Sequence, residues 1–508
     1  MHKVLDEIPA RAEWHSKKLA FEDRPQDEYT IYYRNPIDAM RSLLGNPAHA
    51  KDIVYRPKKI FRDKEKSARI YNEMWTGKWW HAIQACFLPL FLILNPCSIY
   101  VQNRLPQGAA LAPVIIATDK TQLTQFSSNK SAYPIYMTLG NIPRAIRRKP
   151  TQQACFLLGY LSVDKILKDD LTSREVSSRG QRLFHDSLRI ILEPLKEAGT
   201  QGVEIVGGDG SVRLVFPVLA CYVADYPEQC LVTCSKYGTC PKCQARADEL
   251  SELKKSTART QTWTMDVINQ AKASTETNSA FKTKCMEAGV GGGVFSPFWH
   301  GFPHCDIHHS ITPDVLHQLY QGVFKHMLEW LEDLMDEEEL DACVRSLPPC
   351  YGLRHFKNGW SSLGQIGGKD RKHMARVLLG CMIGKVPRDV IISYRSLLDF
   401  IYLAQYPSHD DITLGYMDKA LKEFHLHKEV LFNLGVREHL DIPKIHSLLH
   451  YVDSITWFGT TDNYNTEMME RFHIDFCKEG WYASNRRNEM PQMMSWLSRR
   501  EKVSVQYI

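Results

Sequence analysis

Nowhere in this 508-residue chain does an apolar run reach the roughly 20 residues that a membrane-spanning helix needs. The longest, residues 85–101, is broken by Pro89, Asn95, Pro96 and Ser98. The opening MHKVLDEIPARAEWHSKK is charged and lacks the apolar centre of a secretory signal. Its 14 cysteines follow no framework spacing, which argues against a disulfide-stapled secreted scaffold and leaves thiols for metal ligation. An excess of one charge is also missing. A net charge of +5 permits nucleic-acid binding without requiring it. No tandem repeat is evident. What remains is an ordinary globular composition, 44% apolar and 24% charged, with length for about three domains.

Periodicity predicts a β-rich first half. YTIYY (29–33) reads as a short strand, and residues 36–44 as a helix stopped by Gly45. PVIIAT (113–118) is a buried-type strand ending in Asp119. Residues 133–139 and 154–163 read as two more strands, and 183–195 has helical spacing. Two runs flanking GGDGS, 203–206 and 212–216, predict a hairpin whose second arm continues to Asp225. Between strands lies a basic cluster, Arg144, Arg147, Arg148 and Lys149, a candidate phosphate contact. Residues 244–293 are polar and read as an inserted, partly mobile segment. Amphipathic helices follow at 315–334, 371–384, 393–403 and 418–434.

Three constellations carry chemistry. Cys240-Pro-Lys-Cys243 is half of a zinc site, because this spacing lets two thiolates reach one ion. His446 and His450, at i and i+4 behind an Asp441 cap and Pro443, offer the other half. Together they predict a closed Cys₂His₂ staple. Ser447 follows the first histidine where a metalloprotease needs Glu. Asp119, Asp225 and Glu470 form the second set. Three carboxylates converging on one point repel unless cations hold them, and two Mg²⁺ about 4 Å apart are the usual solution in phosphodiester cleavage. Glu467 competes with Glu470 as third acid; the Glu470-Arg-Phe-His473 context favours Glu470. Asp306, His308, Asp314 and His317 make a third group, read as structural hydrogen bonding, with a second metal or a helix cap as the alternatives.

The stretches PVIIATDKTQLTQFSSNKSAYPIYMTLGNI, FPVLACYVADYPEQCLVTCSKYGTCPKC, DIHHSITPDVLHQLYQGVFKHMLEWL, PKIHSLLHYVDSI and ERFHIDFCKEGWYASN together resemble the Plavaka group of fungal transposases. That group lies in the CACTA-like set of DDE enzymes. The resemblance implies an α/β fold: an RNase H-like catalytic core interrupted by a large, mostly helical insertion, with an N-terminal accessory region. The boundaries expected are 1–110 accessory, 111–244 first part of the core, 245–440 insertion, 441–490 His pair and core-completing helix, and 491–508 tail. It also implies that Asp119, Asp225 and Glu470 are the DDE triad on two Mg²⁺ or Mn²⁺ ions, with one structural zinc tying the Cys pair to the His pair.

The expected activity is metal-dependent DNA strand cleavage and transfer at transposon ends; a non-cutting DNA- or protein-binding relative is the alternative. Partners implied are double-stranded DNA, as terminal inverted repeats and target, and a second copy in a homodimer. The compartment implied is the nucleus, with no membrane. Two departures stand out. Related chains carry a Cys/His finger ahead of the region that starts here, which bears on end recognition. Residues 85–101 are extra, and a retained intron in the gene model is the expected cause.

Overall fold

The computed structural model describes residues 2–85, 109–124 and 130–505, so the apolar run at 85–101 lies almost wholly outside the described residues. An eight-stranded mixed sheet dominates the N-terminal half, and the C-terminal region is largely helical. The strands are β1 (Trp14–Phe21), β2 (Arg24–Arg34), β3 (Ala110–Thr118), β4 (Thr121–Gln122), β5 (Ser131–Leu139), β6 (Phe156–Leu161), β7 (Val203–Val206) and β8 (Val212–Val223). Their order is β1-β2-β6-β5-β3-β8-β7, with β4 against β5. Among the described strands only β3 and β8 pair in parallel. The other pairings are antiparallel, including the hairpin of β7 with β8 that the turn residues predict. The helix at Pro36–Leu44 ends at Gly45 as read, and Asn35 caps it.

Strand β3 is apolar throughout because both its faces are covered. Ala112, Val114 and Ile116 face a core built with the helix Ser173–Gln201. Leu111, Ile115 and Ala117 face a second core containing Trp79, Trp80, Met469, Phe472 and Trp481. Strand β8 alternates likewise, until its pairing register slips between Leu219 and Cys221. Before the slip Phe216, Val218 and Ala220 face the second core; after it Cys221 and Val223 do. The extra residue exchanges the two faces of the strand. Ala224 lies in the first core, so Asp225 follows on the side of the second, as Asp119 follows Ala117.

The sheet begins ahead of residue 111. Strand β2 pairs with β6, bringing residues from the stretch set apart as accessory into the sheet. Residues 491–505 likewise belong to a packed helix, Glu489–Val505: Met493 and Leu497 are buried and Arg34 pairs with Glu501. The 244–293 segment is folded against the first core through Ile268, Ala271, Phe281, Cys285 and Val290. A third core, from Val315 to Ile455, holds the helices Phe324–Glu332, Gly368–Met382, Arg388–Leu403 and Asp411–His427 together. The long helix predicted at 315–334 opens as π-helical turns over Val315–Val323.

Candidate functional site

Two clusters emerge where this architecture brings distant segments together. The first is closed. Cys240 and Cys243 meet His446 and His450, all four buried, with their ligand atoms within 4.8 Å of one another. Cys240 Sγ is 3.3 Å from His450 Nε2, and Cys243 Sγ is 3.2 Å from His446 Nε2. A tetrahedral zinc with sulfur at 2.3 Å and nitrogen at 2.1 Å has S···N edges of about 3.6 Å, so the set needs only a slight expansion to hold the ion. Gly238, at φ 90°, turns the chain into the knuckle. The Arg259 guanidinium then locks it, donating to Cys240 O at 2.8 Å and Cys243 O at 2.9 Å. Burial pushes the Cys240 thiol up, while hydrogen bonds from Cys240, His446 and His450 pull the Cys243 sulfur down towards thiolate. This buried set could hold a zinc ion. Asp441 does not cap the His helix as expected: Ile442 stands at the cap, and Asp441 accepts from Ser251 N at 2.9 Å.

The second cluster is open. Val223 pairs with Ala117, so Asp225 and Asp119 each stand two residues beyond paired positions of neighbouring parallel strands. Asp225 caps the next helix, Tyr226–Thr233, accepting from Glu228 N at 3.0 Å through Oδ1. Glu470 comes from the helix Thr466–Phe472, whose Met469 and Phe472 anchor it on the second core. Burial and then Asp225 push the Asp119 carboxyl up to about 7, with Glu470 and Asp314 adding to the rise and His317 opposing it. Crowded carboxyls of this kind are what a divalent cation relieves. Among the described residues the Cys₂His₂ atoms are the set gathered this closely, and the three carboxylates are not gathered into such a group. Glu467 points elsewhere and pairs with Lys372.

Histidines complete the open cluster. His317 lies between two carboxylates, with Nδ1 2.6 Å from Asp314 and Nε2 3.4 Å from Glu470. Burial works against its charge, but the hydrogen bonds to Asp314 and Glu470 outweigh that and push it up to about 10. His473 is buried with Nδ1 3.9 Å from Asp119, and burial pushes it down to about 4, leaving it neutral. Beneath the acids Glu228 is buried and bonded to Thr118, whose hydroxyl also meets Tyr222 OH at 2.8 Å. Glu228 and Arg259 are not singled out by sequence: Glu228 sits three residues after Asp225 with no motif of its own, and Arg259 lies in the polar stretch after the Cys pair.

The group Asp306, His308, Asp314 and His317 thus divides. Asp306 caps a short turn, accepting from His308 N at 3.0 Å, and His308 bonds Thr264 Oγ1 and Pro241 O, each at 2.7 Å. Those two are structural, and Asp314 and His317 join the carboxylates.

The basic cluster lies away from both centres' strand end. Leu139 pairs with Val114, so the loop carrying Arg144–Lys149 leaves the sheet at the end opposite Asp119. Arg147 is buried and grips Asn463 O and Oδ1 at 2.8 Å each. Arg144 is spent on Asn72 O, Thr460 and Glu73. Arg148 and Lys149 remain exposed, Arg148 lying 3.8 Å from Asp462.

Comparison with protein families decides what kind of chain this is: the Plavaka transposase family is matched over residues 1–331. The chain belongs to that family. The matched stretch of this Plavaka protein contains Asp119, Asp225 and the Cys pair; Glu470 and the His pair lie beyond it. Comparison with curated proteins gave no match. No described helix of the Plavaka chain is long and apolar enough to cross a membrane.

Proposed function

We propose that this Plavaka transposase is a metal-dependent enzyme that cuts DNA strands and transfers them at transposon ends, using Asp119, Asp225 and Glu470. The observation that carries the reading is the equal offset of Asp119 and Asp225 on adjacent parallel strands, with a register slip in β8 that turns Asp225 to the face Asp119 already takes, where the helix of Glu470 packs. An RNase H-like core, interrupted by helices between the second and third acid, accounts for that arrangement. All three side chains are hard oxygen donors suited to Mg²⁺ or Mn²⁺. When bound, such ions activate the attacking oxygen and stabilise the leaving one.

The chain's own residues do the rest. Asp225 is fixed by its capping bond, Asp119 is delivered by its strand, and Glu470 is brought alongside by a helix packed on the sheet. Neutral His473 covers Asp119 from the core side. The Cys₂His₂ set, holding zinc, ties the segment leaving β8 to the segment that brings Glu470 back. Double-stranded DNA, as terminal repeat and target, is the substrate; a homodimer would engage two ends, and the site of action is the nucleus.

Supercoiled plasmid bearing the element's ends, incubated with protein and Mg²⁺ or Mn²⁺, tests this. The wild type should cut, and Asp119→Asn should bind DNA equally but cut at least about a hundredfold more slowly. Cutting by Asp119→Asn at the wild-type rate would sink the proposal. A second reading, a relative that binds DNA or protein without cutting, is favoured by the looser spacing of the carboxylates beside the tight Cys₂His₂ set. It predicts binding with no cutting by the wild type in either metal.

A further inference from the structure

Glu470 has an awkward position for a group that must be held still. Its side chain is 45% exposed, on a helix of only seven residues that runs straight into π-helical turns at His473–Lys478. Left alone it would swing in solvent. It is not left alone. Asp314, 1% exposed, receives Thr466 Oγ1 at 2.6 Å and, through its other oxygen, His317 Nδ1 at 2.6 Å. His317 reaches on to Glu470. Thr466 and Glu470 stand at i and i+4, one turn apart on the same helix face. One buried carboxylate therefore grips that helix twice, directly at its first turn and through an imidazole at the acid itself.

Asp314 is held in its turn. It accepts from Leu316 N at 3.2 Å and His317 N at 2.8 Å, and its carbonyl accepts from Tyr451 OH at 3.0 Å. Tyr451 is the residue after His450, so the grip is anchored on the zinc-type cluster. His317 itself lies in the first of the π-helical turns Val315–Val323, an irregularity that recurs at functional sites.

We propose that Asp314 and His317 are the positioning pair for Glu470: the buried carboxylate aims the imidazole, and the imidazole fixes the third acid over the strand ends. This rests on the reading of Asp119, Asp225 and Glu470 as the cutting site. Neither residue touches the reacting atoms.

Plasmid nicking in Mg²⁺ by the full chain separates the two ideas. His317→Ala should cut roughly 10- to 100-fold more slowly, as loss of a partner behind a ligand does. His317→Gln, which keeps a donor, should lose less. Added imidazole should restore cutting to His317→Ala and do nothing for Asp119→Asn. In a Glu470→Gln background, removing His317 should change the residual rate by no more than about twofold, because the two act as one unit. Asp119→Asn inactive beside His317→Ala at the wild-type rate would overturn the pair while leaving the site intact. So would a loss that imidazole leaves untouched in protein with unchanged zinc content and melting, or a full further loss in the double variant. A wild type that does not cut, or an Asp119→Asn protein that does, removes the underlying reading and this inference with it.

Discussion

The two clusters differ in almost every physical respect although the same largely helical stretch of chain separates the halves of each. The Cys₂His₂ set is buried, built of soft thiolates and imidazoles, and already close to bonding geometry. The carboxylate set is half open, built of hard oxygens, and spaced more widely. A closed site with four protein ligands has no position left for a substrate, so it can only hold structure. An open site keeps positions for water and phosphate, and its mutual repulsion is the driving force for taking up cations. The contrast teaches that one centre is closed around its own four ligand atoms by the fold, whereas the other is left open at the end of the sheet.

The largest expected effect breaks this contrast at the open end. Asp119→Asn should abolish metal-dependent nicking while leaving the melting temperature within a degree or so of wild type, since the substitution relieves repulsion rather than removing a contact. A large loss of stability would mean Asp119 is structural, and the clusters would no longer differ in kind. The next effect falls at the closed end. Purified protein should carry about one zinc per chain, and its removal by a strong chelator, or Cys240→Ser, should lower the melting temperature by several degrees and raise proteolysis of the helical region. Metal analysis finding no zinc, with Cys240→Ser as stable as wild type, would dissolve the staple.

Much of this was legible beforehand, for reasons that can be named. The Cys pair and His pair declare themselves because ligand spacing is a local property, readable wherever the chain travels between. Strand β3 declares itself because burial on both faces leaves it apolar up to its last residue, Thr118. Strand β1 is the opposite case: WHSKKLAF is mostly exposed along the sheet edge, where lysines guard against edge pairing, so its sequence looks like a loop. The slip near Ala220 was invisible, because a run of nine apolar residues looks the same with or without an extra one. That slip decides which face Asp225 takes. Arg147 misled for a related reason. A guanidinium beside other cations reads as a surface patch, and only the tertiary fold shows it tethering Asn463.

Arg147 therefore belongs with the closed type of centre and supplies the third prediction. Arg147→Ala would leave the Asn463 acceptors unmet in a buried place and should destabilise by roughly 1–3 kcal/mol for each acceptor left unsatisfied. Urea denaturation measures it. A change under about 1 kcal/mol, the range of an exposed pair, would return Arg147 to the surface-patch reading.

The smallest effect concerns where DNA lies, and it tests the contrast from outside both centres. Each phosphate contact steepens the dependence of log affinity on log salt by about 0.9. Arg148 and Lys149 are exposed but leave the sheet at the end away from Asp119. Lys120 is exposed beside Asp119, and exposed Lys165 lines a groove of about 490 Å³ with Lys130, Ser131 and Glu489 at the end of the sheet where Asp119 stands. DNA held for cutting must pass the open cluster, so the groove side should carry the contacts. Replacing Lys120 and Lys165 by Ala should flatten the slope by up to two contacts' worth, about 1.8, while the Arg148 and Lys149 pair should change it by less than one. The reverse outcome would move DNA to the far end of the sheet, and the open cluster would then have no substrate within reach.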